Sequence, residues 1–143
     1  MAVALQQAEA ASLRGEVPVG AALFDTNGVL ITASGNRILE LRDPTAHAEM
    51  IVIRDAARAL GNERLIDTTL VVTLEPCTMC AGAISLARIA RLVYGAADPK
   101  AGGIAHGARV FEQPTSHHRP LVEGPVGPGR CGEILRDFFR ARR

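Results

Sequence analysis

The pattern of hydrophobic and polar positions in the first 35 residues predicts one helix and a β-hairpin. Residues 2–14 have an alanine-rich helical pattern. The stretches VPVGAALF (17–24) and VLITASG (29–35) then predict two strands. The tetrapeptide DTNG connects them, and Asn27-Gly28 at its centre is a strong signal for a tight hairpin turn.

Downstream of a loop that runs through Arg42, helix and strand patterns alternate. The chain predicts a helix at 46–60 that stops at Gly61, a strand at 69–75, a helix at 78–89 and a strand at 91–96. From Ala96 to about Gly129 it predicts loops. A final helix is expected to bury Ile134, Leu135, Phe138 and Phe139 on one side.

A hairpin followed by alternating helices and strands predicts an α/β fold. We expect a three-layer α/β/α sandwich around a mixed central sheet. At 143 residues the chain is long enough for one well-formed core and too short for two ordinary domains. Residues 1–143 are therefore interpreted as a single domain.

Composition narrows the class of protein further. Hydrophobic residues make up 48% and charged residues 22%, with a net charge of +1, which is typical of a soluble globular protein. The longest uncharged apolar run, PCTMCAGAISLA, is much shorter than the roughly 20 residues that span a bilayer, so we expect no membrane segment. The N-terminal residues lack the pattern of a secretory signal, and the three cysteines cannot all pair, which favours the reducing cytoplasm.

Two short motifs carry the candidate chemistry. Cys77 and Cys80 are three residues apart at the start of a predicted helix, so both sulfurs lie on one face of it. His47 and Glu49 stand at the start of another helix, where both side chains can lean over the helix end. Two thiolates and one imidazole leave the fourth position of a tetrahedral zinc ion for water, which is the pattern of a catalytic site.

Glu49 completes this interpretation. Zinc lowers the pKa of its bound water to about 7, so hydroxide becomes available at neutral pH. Glu49 stands beside the expected ligand His47 and is placed to carry a proton from that water to the substrate. The alternative is a structural zinc or redox site, in which His106, His117 or His118 could supply the fourth ligand.

The combination H-x-E followed by P-C-x-x-C is the signature of zinc nucleobase deaminases. The chain resembles the bacterial tRNA-specific adenosine deaminase family, and the shared residues extend well beyond that signature. They run from EVPVGA near the N-terminus to FFR near the C-terminus. The other shared stretches are GNR (35–37), DPTAHAE (43–49), RLIDTTLVVTLEPCTMCAGA (64–83) and DPK (98–100). The resemblance covers nearly the whole chain.

What the resemblance implies is hydrolytic conversion of adenosine to inosine at the wobble position (34) of the tRNA-Arg(ACG) anticodon, in the anticodon stem-loop. It also implies the cytidine deaminase-like fold and a homodimer. By the same resemblance, one zinc per subunit is held by His47, Cys77 and Cys80, and Glu49 shuttles protons.

Four further residues are candidates for substrate contacts. Asn36 would hydrogen-bond the extruded adenine, because its amide is both a donor and an acceptor, although a turn residue after Gly35 is the plain alternative. Val17 could pack against such a base, or lie in the core. Asp98 and Lys100 are in the segment that resembles the family's anticodon-contacting loop, but DPK alone is equally typical of a solvated turn.

Two weaker observations concern partners. Aromatic residues are only 3% of the chain, which argues against a platform that stacks several bases and favours a pocket for one extruded base. The last eight residues, RDFFRARR, carry four arginines, which either contact phosphates or complement the end of their helix. Small residues on the predicted helix 78–89 allow another helix to approach closely, either in a dimer or within the core.

Two rival functions stay open at this point. The first is a free-base or nucleoside deaminase of the same superfamily, acting on guanine, cytosine or cytidine with the same zinc chemistry. The second is a non-catalytic zinc module that only binds RNA or a protein partner, which predicts four protein ligands and no role for Glu49.

Overall fold

A computed structural model describes residues 1–143 and contains one five-stranded sheet. Its strands are β1 (Gly20–Phe24), β2 (Leu30–Gly35), β3 (Thr69–Leu74), β4 (Arg91–Ala96) and β5 (Leu121–Glu123). Its helices are α1 (Ala2–Leu13), α2 (Ile38–Leu41), α3 (Ala48–Leu60), α4 (Thr78–Leu86) and α5 (Pro128–Arg140), with a 3₁₀ turn at Val110–Glu112.

The sheet is mixed, as predicted. Its strand order is β2-β1-β3-β4-β5, with β1 antiparallel to both of its neighbours and the last three strands parallel. The predicted hairpin turn is present: the Asp25 side chain accepts the backbone N–H groups of Asn27 and Val29 at 2.8 and 2.9 Å. Gly28 adopts φ +76°, a left-handed conformation that glycine adopts at little cost.

Helices cover both faces of the sheet, which confirms the three-layer sandwich. On one face, α1 lies so close to β1 and β2 that a Cβ at Gly20 or Gly35 would overlap helix backbone, at the carbonyls of Ala4 and Gln7 respectively. Helix α5 covers β4 on the same side, where Gly95 faces Cys131. On the other face, α3 contributes buried Ala48, Val52 and Ala56 to the main hydrophobic core.

The structure corrects several expected boundaries. The helix expected at 78–89 ends at Leu86, because Arg88 takes a left-handed φ of +60°. The expected loops contain α2, the 3₁₀ turn and β5. The final helix buries Phe138, but Phe139 is 49% exposed, and Ile134 and Leu135 are half-buried. The buried face of this helix is therefore narrower than predicted. None of the helices has the length and apolar character needed to cross a membrane.

Candidate metal centre and active site

The N-terminal ends of two helices meet at the candidate site. His47 immediately precedes α3 and Cys77 immediately precedes α4, each with extended backbone angles. Cys80 lies in the first turn of α4 and is fully buried. The first N–H groups of a helix are unpaired and give that end a partial positive charge, which favours thiolates there.

The three side chains have the spacing that a zinc ion needs. The His47 Nδ1 atom lies 3.7 Å from the Cys77 sulfur and 3.6 Å from the Cys80 sulfur, and all three donor atoms lie within 4.8 Å of one another. Tetrahedral zinc, with bonds of about 2.3 Å to sulfur and about 2.0–2.1 Å to nitrogen, places these atoms about 3.6 Å apart. The donor set therefore fits zinc.

Electrostatic interactions within the cluster favour deprotonation of one cysteine sulfur, and the thiolate is the form that binds a metal. A hydrogen bond from the Cys80 thiol, assisted by His47, lowers the pKa of Cys77 to about 4. The same thiol pair raises the pKa of Cys80, and burial adds to that effect. One sulfur thus carries a negative charge beside the imidazole, as expected of two coupled thiols that share a proton.

Glu49 lies in the first turn of α3, on the inside of the site. It is only 3% exposed, and its Oε2 atom is the one buried side-chain oxygen or nitrogen in the protein without a hydrogen-bond partner. Burial raises the pKa of Glu49 to about 7, against the opposing charge of His47. A carboxyl with a pKa near neutrality and a free oxygen is suited to accept and release protons.

No other histidine or cysteine completes the cluster. His106 places its Nδ1 atom 2.7 Å from Glu75, and His118 places Nε2 2.7 Å from the Ile89 carbonyl. His117 is exposed. His47, Cys77 and Cys80 form the one group of three or more such ligands in the chain. The arrangement has three protein donors, which favours a catalytic site over a structural one.

Asn36 lies at the edge of this site, directly after β2. It is 5% exposed, and its Oδ1 atom accepts the backbone N–H of Ala48 at 2.9 Å, which satisfies one of the unpaired donors at the start of α3. Its backbone carbonyl accepts a hydrogen bond from Arg14 at 3.2 Å. The amide acceptor is thus engaged by the helix, and the Nδ2 group is left as a donor.

The other predicted substrate contacts have different surroundings. Val17 is half-buried against the hydrophobic core. The Asp98 carboxylate closes a turn by accepting the N–H groups of Lys100 and Ala101, both at 3.1 Å. Lys100 is exposed. None of the three belongs to the metal-donor cluster.

Two buried carboxylates near the site were missed by the sequence analysis. Glu16, 2% exposed, accepts the N–H groups of Leu39 and Glu40 and so holds α2 beside Asn36. Glu75, also 2% exposed, binds the loop that follows β4. Burial opposes its ionisation, but hydrogen bonds led by the Asp98 N–H and the His106 ring keep the pKa of Glu75 below its ordinary value. In the sequence, Glu16 and Glu75 each simply adjoin an apolar stretch, and that pattern does not predict which N–H groups their carboxylates bind.

Comparison with known proteins finds similarity to zinc-binding deaminases. The family model for the cytidine and deoxycytidylate deaminase zinc-binding region matches residues 1–96, which contain all three metal donors. The tRNA-specific adenosine deaminase of Agrobacterium fabrum is 56% identical over 143 residues, spanning 100% of this chain and 93% of that protein.

Comparison with solved structures also finds similarity to deaminases. A chain from biochemical and structural studies of A-to-I editing by tRNA:A34 deaminases is 56% identical with a TM-score of 0.92, over 94% of this chain and 97% of that one. A guanine deaminase from Nitrosomonas europaea has a TM-score of 0.81 at 22% identity, over 96% of this chain and 81% of that one. At that identity the second likeness concerns the fold alone.

Proposed function

Because this chain belongs to the zinc-binding cytidine and deoxycytidylate deaminase family, and within it to the tRNA-specific adenosine deaminases, we propose that it converts adenosine 34 of tRNA-Arg(ACG) to inosine. The observation that carries the proposal is one cluster: an imidazole nitrogen and two thiols at tetrahedral zinc spacing, beside a buried carboxylate with a free oxygen. The reaction is a hydrolysis that replaces the 6-amino group of adenine with oxygen from water.

His47, Cys77 and Cys80 would hold one zinc ion per subunit. Zinc in such a site supplies Lewis-acid activation of water and lowers the pKa of that water to about 7. Glu49 takes one proton of the attacking water on Oε2 and delivers it to a ring nitrogen of adenine. It then carries the second proton, from the newly added hydroxyl, to the amino group, which leaves as ammonia. The buried position of Glu49 keeps bulk water from competing for that proton.

Asn36 would recognise the base. Since Oδ1 is engaged by the Ala48 N–H, the Nδ2 group donates to an acceptor nitrogen on the adenine ring. Val17 would pack against the same base from the side of the core. An unpaired anticodon nucleotide suits such a pocket, because extruding it costs only a few kcal/mol.

Asp98 and Lys100 would contact the anticodon stem-loop outside the pocket. The exposed Lys100 ammonium suits a phosphate, and the Asp98 turn fixes the backbone from which that side chain extends. Such phosphate contacts position the RNA, and the pocket selects the base.

We also propose that the chain is the single-domain subunit of a homodimer and that it acts in the cytoplasm. Leu86 on α4 is 78% exposed, next to a cavity of about 260 Å³ whose lining includes Gly82 and Val110. A second copy covering this face would bury that apolar surface. One core of 17 buried residues, from Val19 to Phe111 in sequence, supports a single domain. A reducing compartment keeps the three cysteines as free thiols. Light scattering at micromolar concentration that shows only monomer contradicts the dimer.

A substrate panel tests the proposed reaction. The zinc-loaded protein is incubated with tRNA-Arg(ACG), with the same tRNA carrying guanosine at position 34, and with free guanine, cytosine and cytidine. We expect inosine on the first RNA and no ammonia release from the other substrates. Turnover of a free base without inosine formation on the tRNA would reject the proposal in favour of a free-base deaminase.

A further inference from the structure

The carboxylate of Glu75 is the centre of a hydrogen-bond cluster that none of the proposed catalytic steps uses. Its side chain has no solvent-exposed surface, and it lies between the end of β3 and the metal donor Cys77. Oε1 accepts the N–H groups of Ile104, Ala105 and His106 at 3.2, 2.8 and 3.0 Å. Oε2 accepts the Asp98 N–H at 3.0 Å and contacts His106 Nδ1 at 2.7 Å.

All of these donors belong to one loop, residues 98–106. Glu75 binds both of its ends, at Asp98 and at His106, so a single carboxylate closes the loop. The Asp98 side chain then fixes the backbone of Lys100 and Ala101. A continuous chain of hydrogen bonds thus runs from the buried Glu75 to the exposed Lys100.

The backbone of this loop packs tightly against the Glu75 side chain. A Cβ at Gly102 would lie 2.5 Å from the Glu75 carboxylate, and one at Gly103 would lie 2.6 Å from the Thr78 nitrogen at the start of α4. The Gly103 N–H also donates to the Pro76 carbonyl at 2.8 Å. Glycines in this stretch allow the loop to lie directly over the carboxylate, which leaves the loop few alternative positions.

We propose that Glu75 is a positioning residue for RNA recognition, which holds loop 98–106 in the one conformation that presents Asp98 and Lys100 to the anticodon stem-loop. This role rests on the proposed function and extends it to a residue outside the metal donors and the pocket. It predicts that Glu75 governs binding of RNA, whereas zinc content and the chemical step depend on other side chains.

The substitution Glu75→Gln tests the role with little change of shape. The amide oxygen keeps an acceptor for three of the N–H groups, but the NH₂ group then faces the Asp98 N–H, a donor against a donor. We expect KM for an anticodon stem-loop RNA to rise about tenfold, with kcat within about twofold of the wild type. Bound zinc, measured by atomic absorption, stays at the wild-type level.

His106→Ala is the second variant, should Glu75→Gln fold poorly. It removes the 2.7 Å contact to Oε2 and leaves the backbone hydrogen bonds in place, so KM should rise in the same direction but less, by about threefold. Glu123→Gln is the matched control, because this carboxylate is 51% exposed on β5 and pairs only with Arg91. Its kinetics should equal those of the wild type.

A double-mutant cycle separates positioning from general destabilisation. If Glu75 acts through Lys100, then Glu75→Gln raises KM much less in a Lys100→Ala background than in the wild type. Fully additive effects, loss of zinc, or an unchanged KM in folded Glu75→Gln would each overturn the role. A wild-type chain that leaves the RNA unmodified overturns the proposed function and this role together, whereas an active wild type with an unaffected variant overturns this role alone.

Discussion

Glu49 combines two properties that a purely structural residue avoids. It is 3% exposed, and one of its oxygens has no hydrogen-bond partner. Burying a carboxyl in this way costs free energy, and buried polar groups are nearly always satisfied. A residue that lowers the stability of the fold beside a metal-donor cluster is expected to serve the reaction.

Replacing this residue should separate activity from stability. In Glu49→Gln the side chain keeps its shape but cannot accept a proton, so kcat on the tRNA should fall by at least about 10²-fold. The zinc content should be unchanged, and the melting temperature should equal or exceed that of the wild type because a buried carboxyl is removed. Inosine assays, metal analysis and thermal melts measure the three quantities.

Glu112→Gln, on the exposed 3₁₀ turn, controls for the loss of a carboxylate elsewhere in the chain. A fully active Glu49→Gln variant would exclude Glu49 as the proton carrier.

At the scale of secondary-structure elements, Asn36 has two separable tasks. Its Oδ1 atom satisfies the Ala48 N–H at the start of α3, and its Nδ2 group is proposed to bind the base. Asn36→Asp keeps an oxygen for the helix but removes the donor, whereas Asn36→Ala removes both.

We therefore expect both Asn36 variants to lose deamination. The alanine variant should also lose about 1 kcal/mol of stability, the usual effect of a lost helix cap, whereas in the aspartate variant the favourable charge at the start of α3 offsets the cost of burying a carboxylate. Denaturant unfolding and inosine assays of the two variants measure this difference. If the aspartate variant deaminated tRNA at the wild-type rate, the Nδ2 group would have no part in recognition.

The contact between α1 and the sheet depends on glycine. At Gly35 an added Cβ would lie 2.8 Å from the Ala11 side chain and would overlap the Gln7 carbonyl. Gly35→Ala should therefore destabilise the protein by about 1–3 kcal/mol through overpacking. Gly129→Ala on α5 is the matched control, because nothing lies within 4 Å of a Cβ there. Its stability should be unchanged or slightly higher, and equal unfolding midpoints for both variants would contradict this packing.

Much of the secondary structure and of the metal site was predictable from the sequence. Helical patterns predicted α1, α3 and α5, and apolar stretches predicted the first four strands, of which β1 and β3 are buried along most of their length. The two motifs at helix starts predicted the metal donors His47, Cys77 and Cys80, which the structure brings together. The role of Glu49 as proton carrier stays a prediction. The family match and the donor geometry confirm the predicted zinc cofactor.

What the sequence did not indicate depends on long-range contacts. Glu75 and His106 are 31 residues apart, and Asn36 and Ala48 are 12 apart, so only the folded chain brings each pair together. The short strand β5 has three exposed residues and no alternation to detect. Phe139 was predicted to be buried with Ile134, Leu135 and Phe138 on one side of the last helix. Successive residues of a helix point about 100° apart, and of the two phenylalanines only Phe138 faces the core.

At the scale of the whole molecule, the metal donors connect two helices that are distant in sequence. His47 belongs to the start of α3, and the two cysteines belong to the start of α4. A zinc ion held by both helices stabilises the folded state in proportion to its occupancy, by about 2.7 kcal/mol when free zinc is one hundred times Kd.

Removing the metal should therefore lower the melting temperature of the wild type. The same treatment should have little effect on Cys77→Ala, which has already lost one donor, and restoring zinc should reverse the effect in the wild type alone. A wild-type melting temperature that is insensitive to a chelator, in protein shown to have lost its zinc, would contradict the bridging role.

X-ray absorption spectroscopy at the zinc edge of the metal-loaded protein tests most directly whether His47, Cys77 and Cys80 form a catalytic zinc site. We expect two sulfur ligands at about 2.3 Å, one imidazole nitrogen at about 2.0–2.1 Å, and a fourth light atom from solvent. The spectrum should be unchanged in His106→Ala, since that ring is engaged by Glu75. A fourth ligand contributed by the protein, or a zinc ion without two sulfurs, would contradict a catalytic site at this position.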